Sequence, residues 1–244
     1  MTTAPVADQH RLLEVQALDT RLQQLDHARR THPTRARIAE LEQQVGEAAE
    51  ALAAGRTTVG DVRRELAKAE ADVEQVRTRA ERDQARMQAG GSMKDVQALS
   101  AELDALAKRT EALEEIELEV MERLEAEEAT LAERGATHER LAAELASAQR
   151  ELDAAIAVLD DEAQQVTAQR AQKADGLDSG LVALYDRLRG QLGGLGVAAL
   201  RGRTCEGCRL ELNPSDVARI TAAPDDQVLR CEECGRILVR GAAR

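Results

Sequence analysis

Tryptophan and phenylalanine are missing from this 244-residue chain, and tyrosine occurs once, at Tyr185. Aromatic side chains supply much of the buried area of an ordinary globular core, so their absence argues against one compact globule. Apolar runs are short as well. None approaches the ~18 residues that a membrane-spanning helix needs, and residues 1–11 show no charged-then-apolar leader. The expectation is a soluble, cytoplasmic protein. Glycine-rich phosphate loops and nucleophile motifs are also lacking, so the chain is not expected to be an enzyme or to take a small-molecule substrate. Cysteine is scarce, with four residues in all. In a reducing compartment, paired cysteines more often bind metal than form disulfides.

What is present is a chain of helix formers, rich in Ala, Leu and Val, with 32% charged residues. The net charge of −12 is unevenly placed. Residues 177–244 carry ten Arg against nine Asp plus Glu, about +1, which leaves about −13 on residues 1–176. Such an acidic region repels nucleic acid and suits protein partners, and only the tail tolerates phosphate.

The apolar spacing predicts three long helices. The first covers about 8–30, where Val15, Leu18, Leu22 and Leu25 alternate at three and four residues, the heptad signature. Pro33 then interrupts it. The second covers about 36–89, with Gly55 and Asp83 as weak points in its seam. The third covers about 94–173. Residues 90–92, Gly90-Gly91-Ser92, form the reversal. Folding back there sets Leu41 opposite Leu141 and Leu52 opposite Leu131. The base of the third helix then pairs with the first helix, and its distal part with the second. A parallel dimer of unbent helices is the competing arrangement, and the Gly-Gly-Ser break and matched lengths favour the hairpin. The predicted fold is mostly α: a long antiparallel coiled-coil hairpin plus a small C-terminal β zinc ribbon. The domains read as a coiled-coil arm over 1–176, a connecting helix and strand over 177–200, and the ribbon over 201–244.

All four cysteines lie in two C-x-x-C turns, Cys205-Glu-Gly-Cys208 and Cys231-Glu-Glu-Cys234. Each turn aims backbone amides at two thiolates, and together they offer a tetrahedral four-sulfur site suited to one structural Zn²⁺. A redox dithiol and an iron site are the competing uses. Gly207 and Gly235 fit the tight backbone of the knuckles. Asn213-Pro214-Ser215-Asp216 reads as the capped start of a short helix, and 228–230 and 236–239 as strands. His10, His27, His32 and His138 have no ligand partners at metal spacing. Seven ribbon arginines, at 201, 203, 209, 219, 230, 236 and 240, could meet phosphate, although nearby acids nearly cancel their charge. Arg203, Arg209, Arg230 and Arg236 are the candidate nucleic-acid contacts, with no aromatic at hand to stack a base.

Leu184-Tyr185, Gly196-Val197, the two knuckles and Gly235-Arg236-Ile237-Leu238 together resemble the bacterial C4-type zinc-ribbon proteins that carry an N-terminal coiled-coil hairpin. The segment Lys94-Asp95-Val96-Gln97-Ala98-Leu99 is similar to the one that follows the hairpin tip in that family, with Val96 where many relatives carry an aromatic. The family is often labelled nucleic-acid-binding, and some relatives assist flagellar gene expression and assembly. The resemblance implies a zinc-dependent, non-enzymatic adaptor or regulatory protein, with an arm for a protein partner and a ribbon for nucleic-acid contact. The alternative is a direct RNA- or DNA-binding protein acting mainly through the ribbon.

Overall fold

A computed structural model of the chain describes residues 2–241; the last three positions of the predicted ribbon lie outside the described residues. The helices are α1 (Val6–Arg30), α2 (Thr34–Gln88), α3 (Met93–Ala174), α4 (Ser179–Gln191) and α5 (Pro214–Ala222). The strands are β1 (Val197–Arg201), β2 (Thr204–Cys205), β3 (Leu229–Arg230) and β4 (Ile237–Val239). The fold is the mostly helical hairpin with a small C-terminal sheet that the heptads and knuckles predict. Two compact units make it up, one built from residues up to Arg35 and from Arg150 on, the other being Ala36–Gln149.

In Ala36–Gln149, α2 and α3 run antiparallel. Leu41, Leu141 and Ala148 are buried together, with Ile38, Val45, Ala48 and Leu145 packed against them. Arg63–Glu128 and Arg77–Glu114, both at 2.5 Å, bridge the two helices on their exposed flanks. Each such pair contributes little, about 0–1 kcal/mol, so the apolar seam carries the association.

Leu131 lies against Gly55, which is one turn along α2 from Leu52. A β-carbon on Gly55 would sit 3.1 Å from Leu131 Cδ1 and 2.9 Å from Arg134 Nη1. The missing side chain leaves room in the seam, and the opposing Leu131 and Arg134 side chains fill it. Gly55 is therefore a point of close approach. The other predicted weak point, Asp83, is buried in the seam between Arg79 at 3.9 Å and Arg86 at 3.7 Å.

The reversal follows from local chemistry. Gly90 takes φ +86, a conformation open to glycine. Ser92 then starts α3 with a reciprocal cap, in which the Asp95 amide donates to Ser92 Oγ at 3.3 Å and the Ser92 amide to Asp95 Oδ2 at 3.2 Å. The Ser92 hydroxyl also donates to Asp95 and holds its carboxyl below the usual range.

In the other unit, α1 packs along residues 150–174 of α3. Arg21 pairs with Glu162 at 2.6 Å, and Arg11 donates to the Lys173 carbonyl at 3.0 Å. Its core gathers Leu12, Val15, Leu181, Tyr185, Val197 and Ile237, so the connecting helix, the first strand and the last strand all share it. Within it, Asp19 is buried and accepts from Arg170 Nε at 3.0 Å and from the Tyr185 hydroxyl at 2.7 Å. Burial first, and this hydrogen bond second, push the Tyr185 pKa well above its ordinary range.

The sheet order is β2-β1-β4-β3. Strand β1 runs parallel to β4, with Val197 opposite Ile237 and Ala199 opposite Val239, while β2 and β3 pair antiparallel at the two sides. Residues before α1 add to the ribbon: the Val228 amide donates to the Thr2 carbonyl at 3.0 Å, and the Ala4 amide to that of Asp226 at 2.8 Å.

Candidate metal centre

Two turns of the same geometry build the centre. In the first, the Arg209 amide donates to the Cys205 carbonyl at 2.7 Å and the Cys205 amide to the Leu210 carbonyl at 3.1 Å. In the second, Gly235 donates to Cys231 at 2.8 Å and Cys231 to Arg236 at 2.9 Å. The residue after each second cysteine is left-handed, at φ 63 for Arg209 and φ 72 for Gly235. Gly207 is needed for a different reason, since a β-carbon there would lie 2.8 Å from Arg236 Cδ and 2.9 Å from Ala198 Cβ.

The four sulfurs all lie within 4.8 Å of one another. Cys205–Cys234 and Cys208–Cys231 are each 3.9 Å apart. A tetrahedron with Zn–S bonds of ~2.3 Å has sulfur–sulfur edges of about 3.8 Å, so the donor set fits a zinc ion in both chemistry and size. Four protein sulfurs would complete its coordination, which is the closed form of a structural site.

The thiols differ in how readily they ionise. Burial raises the Cys205 thiol, and it pushes Cys231 up to about 12. Burial acts against ionisation at Cys234 too, yet hydrogen bonds from the Arg236 backbone and side chain, and from the Cys231 and Cys208 thiols, outweigh it and bring Cys234 down to about 7. Thiolate is the form that binds zinc, and of these three thiols Cys234 ionises most readily. Around the sulfurs, Ala198, Leu212, Ile220, Leu229 and Leu238 form the small ribbon core. Helix α5 is held over it by the predicted cap, with the Asp216 amide donating to Asn213 Oδ1 at 2.9 Å.

The four arginines singled out for phosphate sit in different circumstances. Arg203 is exposed, 3.9 Å from Glu211. Arg209 is exposed and its guanidinium has no partner among the described residues. Arg230 donates to the Gly235 carbonyl at 2.7 Å. Arg236 is half-buried and donates to the carbonyls of Leu195 at 2.9 Å and Leu192 at 3.3 Å, which makes it a fastener of the loop before β1. Sequence reasoning missed this, because an arginine that fastens carbonyls has the same spacing as one that faces solvent.

A long antiparallel coiled-coil hairpin bearing a four-cysteine zinc ribbon is the class of protein that this fold and centre define. The model of the CT398-like coiled coil hairpin domain matches residues 15–193, and that of the C4-type zinc ribbon domain matches residues 204–238. The chain belongs to the CT398-like coiled-coil hairpin family, and its ribbon binds one structural Zn²⁺. It is 37% identical over 239 residues to the uncharacterized protein Rv2229c of Mycobacterium tuberculosis, covering 97% of each chain. A solved structure from Mycobacterium smegmatis is similar at a TM-score of 0.87 and 38% identity, over 98% of this chain and 100% of that one. The structure of CT398 from Chlamydia trachomatis, at 19% identity and a TM-score of 0.66 over 96% and 98% of the two chains, shares the fold. Among the described residues, no helix is long and apolar enough to cross a membrane.

Proposed function

We propose that the chain is a non-enzymatic, cytoplasmic adaptor or regulatory protein whose coiled-coil arm binds a protein partner, with the zinc ribbon as a second contact module. The observation that carries this reading lies on α3. Residues 111–128 hold nine Glu and one Arg, yet Ile116, Leu118 and Met121 are 46%, 57% and 48% exposed. Large apolar side chains left in water on an otherwise charged helix fit a surface that another protein covers. The closed four-sulfur site supports a structural role for the metal, with Cys205, Cys208, Cys231 and Cys234 as its ligands. The test is the paired variant Leu118→Glu and Met121→Glu. It should keep its helicity by far-UV circular dichroism and lose the proteins that the unaltered, zinc-loaded chain retains from lysate. Retention of the same proteins would overturn the reading.

The alternative is direct RNA or DNA binding through Arg203, Arg209, Arg230 and Arg236. Four phosphate contacts on a single strand would give a slope of log affinity against log salt of roughly −3. The commitment of Arg230 and Arg236 to carbonyls supports the adaptor reading, for which a gel shift with the full chain should show weak binding and a slope near −1.

A further inference from the structure

Two ion pairs bridge α2 and α3 along one flank of the hairpin, Arg63–Glu128 and Arg77–Glu114. They are spaced alike on both helices: Arg77 follows Arg63 by fourteen residues, and Glu128 follows Glu114 by fourteen. In a coiled helix the same side returns every seven residues. The places midway between the bridges are therefore Glu70 on α2 and Met121 on α3. A third bridge would stand there if position 121 held a cation. Instead Glu70 is exposed with no partner among the described residues, and Met121 is 48% exposed. The ladder of bridges has a gap, with one unmet negative charge and one uncovered apolar side chain.

Leu118 widens the gap. It lies three residues before Met121, so the two share one side of α3, and it is 57% exposed. Ile116, two residues before Leu118, is turned to another side. Glu111, Glu122 and Glu125 lie four or seven residues from Leu118, which places them on its side of the helix. All three are exposed, and none has a partner among the described residues. The flank thus carries an apolar centre ringed by unpaired carboxylates, and its two arginines are already engaged in the bridges.

We propose that this flank docks a basic amphipathic helix of a partner protein, with apolar side chains covering Leu118 and Met121 and Lys or Arg meeting Glu70, Glu122 and Glu125. A helix fits because the groups to be met recur at three, four and seven residues, the spacing of one helical face. They also lie along the flank between two packed helices, where a third can lie beside them. Charge selects the partner. Phosphate, of a nucleic acid or of an anionic membrane, is repelled by the unpaired carboxylates. A second copy of this flank brings the same charges and is repelled as well. This partner chemistry rests on the reading of the arm as a partner surface and goes beyond it.

The experiment uses the zinc-loaded full chain and a fluorescent synthetic helix of about 21 residues, with Leu at heptad spacing and Lys elsewhere, read by anisotropy at about 0.15 M salt. One control peptide has the same composition with Leu scattered around the helix, and another has Glu in place of Lys. The basic amphipathic peptide should bind about tenfold more tightly than the scattered one, and the acidic one should not bind. Leu118→Ala with Met121→Ala should weaken binding about tenfold. Glu70→Gln with Glu122→Gln and Glu125→Gln should weaken it about three- to tenfold and flatten its salt dependence. Glu42→Gln with Glu50→Gln and Glu139→Gln, which removes the same charge elsewhere on the arm, should change it by less than about twofold. Far-UV circular dichroism checks that each variant is folded. No binding of the basic peptide, equal binding of the scattered one, no loss in the Ala pair, or equal loss in the two Gln sets overturns the proposal. Sedimentation showing a dimer that dissociates in the Ala pair overturns it in favour of a second copy. If lysate proteins lost by Leu118→Glu with Met121→Glu are still held by the Glu70, Glu122 and Glu125 set, the arm remains a partner surface and the basic partner is ruled out.

Discussion

The unit Ala36–Gln149 and the zinc ribbon are stabilised in opposite ways. The first repeats one device, an apolar seam between two helices, over many turns. Each contact is replaceable, and a defect such as Gly55 is absorbed by a shift of neighbouring side chains. The ribbon has strands of two to five residues and a core of a few aliphatic side chains around its cysteines. A sheet so small buries too little area to stand alone, so the metal supplies what the core lacks. Distributed contacts give tolerance, and a single concentrated contact gives dependence.

The largest effect that would sharpen this contrast comes from removing zinc. Metal binding in ribbons of this kind is worth about 10–16 kcal/mol, so chelation or Cys231→Ser should unfold the sheet. Limited proteolysis should then cut after about residue 200, while most far-UV helical signal remains. A collapse of the helical signal would show that the hairpin is not self-sufficient.

A smaller effect tests whether the helical base leans on one buried charge. Asp19→Ala would leave Arg170 and the Tyr185 hydroxyl without their shared acceptor, and losing one partner of a buried pair costs about 3–5 kcal/mol. Denaturant melts should show that loss, and Leu118→Ala on the exposed face should not.

The next effect is pH dependence at the same place. The Tyr185 pKa is raised on folding, so the folded state holds the proton more tightly than the unfolded chain. Its stabilising contribution is full below the ordinary tyrosine value of about 10 and is lost as pH rises beyond it. Thermal melts should fall above that pH in the unaltered protein. Tyr185→Phe should flatten the fall, at a cost of about 1–2 kcal/mol near neutrality.

The smallest effect compares two glycines of α2. A β-carbon on Gly46 would meet nothing within 4 Å, whereas on Gly55 it would crowd Leu131 and Arg134. Gly46→Ala should therefore stabilise by up to about 1 kcal/mol, and Gly55→Ala by less or not at all. Equal gains would show that the close packing at Gly55 relaxes freely.

Much of this was legible from residue spacing. Heptads declare a seam wherever a helix has one apolar neighbour, and two C-x-x-C turns declare a tetrahedral site. Helix α1 shows where such legibility ends. Its heptad positions Val15 and Leu25 are buried as predicted, but Gln9, Gln16 and Asp19 are buried too. Apolar periodicity cannot register these positions. They are buried because α1 is covered on further sides, and each has a partner far along the chain. Gln16 accepts from the Gly196 amide at 2.8 Å and donates to the Gly194 carbonyl at 3.0 Å. The pairing of Thr3 with Gln227 escaped for the same reason, since no local pattern marks a residue whose partner is distant. The close approach of Leu131 and Arg134 to Gly55 escaped because it depends on which side chains fill a gap, which spacing does not encode.

The parallel pairing of β1 with β4 has a consequence for the order of events during synthesis. Ile237 and Val239 are part of the core that encloses Leu12 and Val15, some 220 residues earlier, and contacts so far apart in sequence form late. As the chain leaves the ribosome, α2 and α3 can zip together as soon as the turn at Gly90 has emerged. Helix α1 can meet the end of α3 and helix α4 once these have emerged, but its share of the core with Ile237 and Val239 must wait for β4. The core around Leu12 and Val15 is thus closed only when β4 is in place, and the interval before that is when it is most exposed to chaperones and to misassociation.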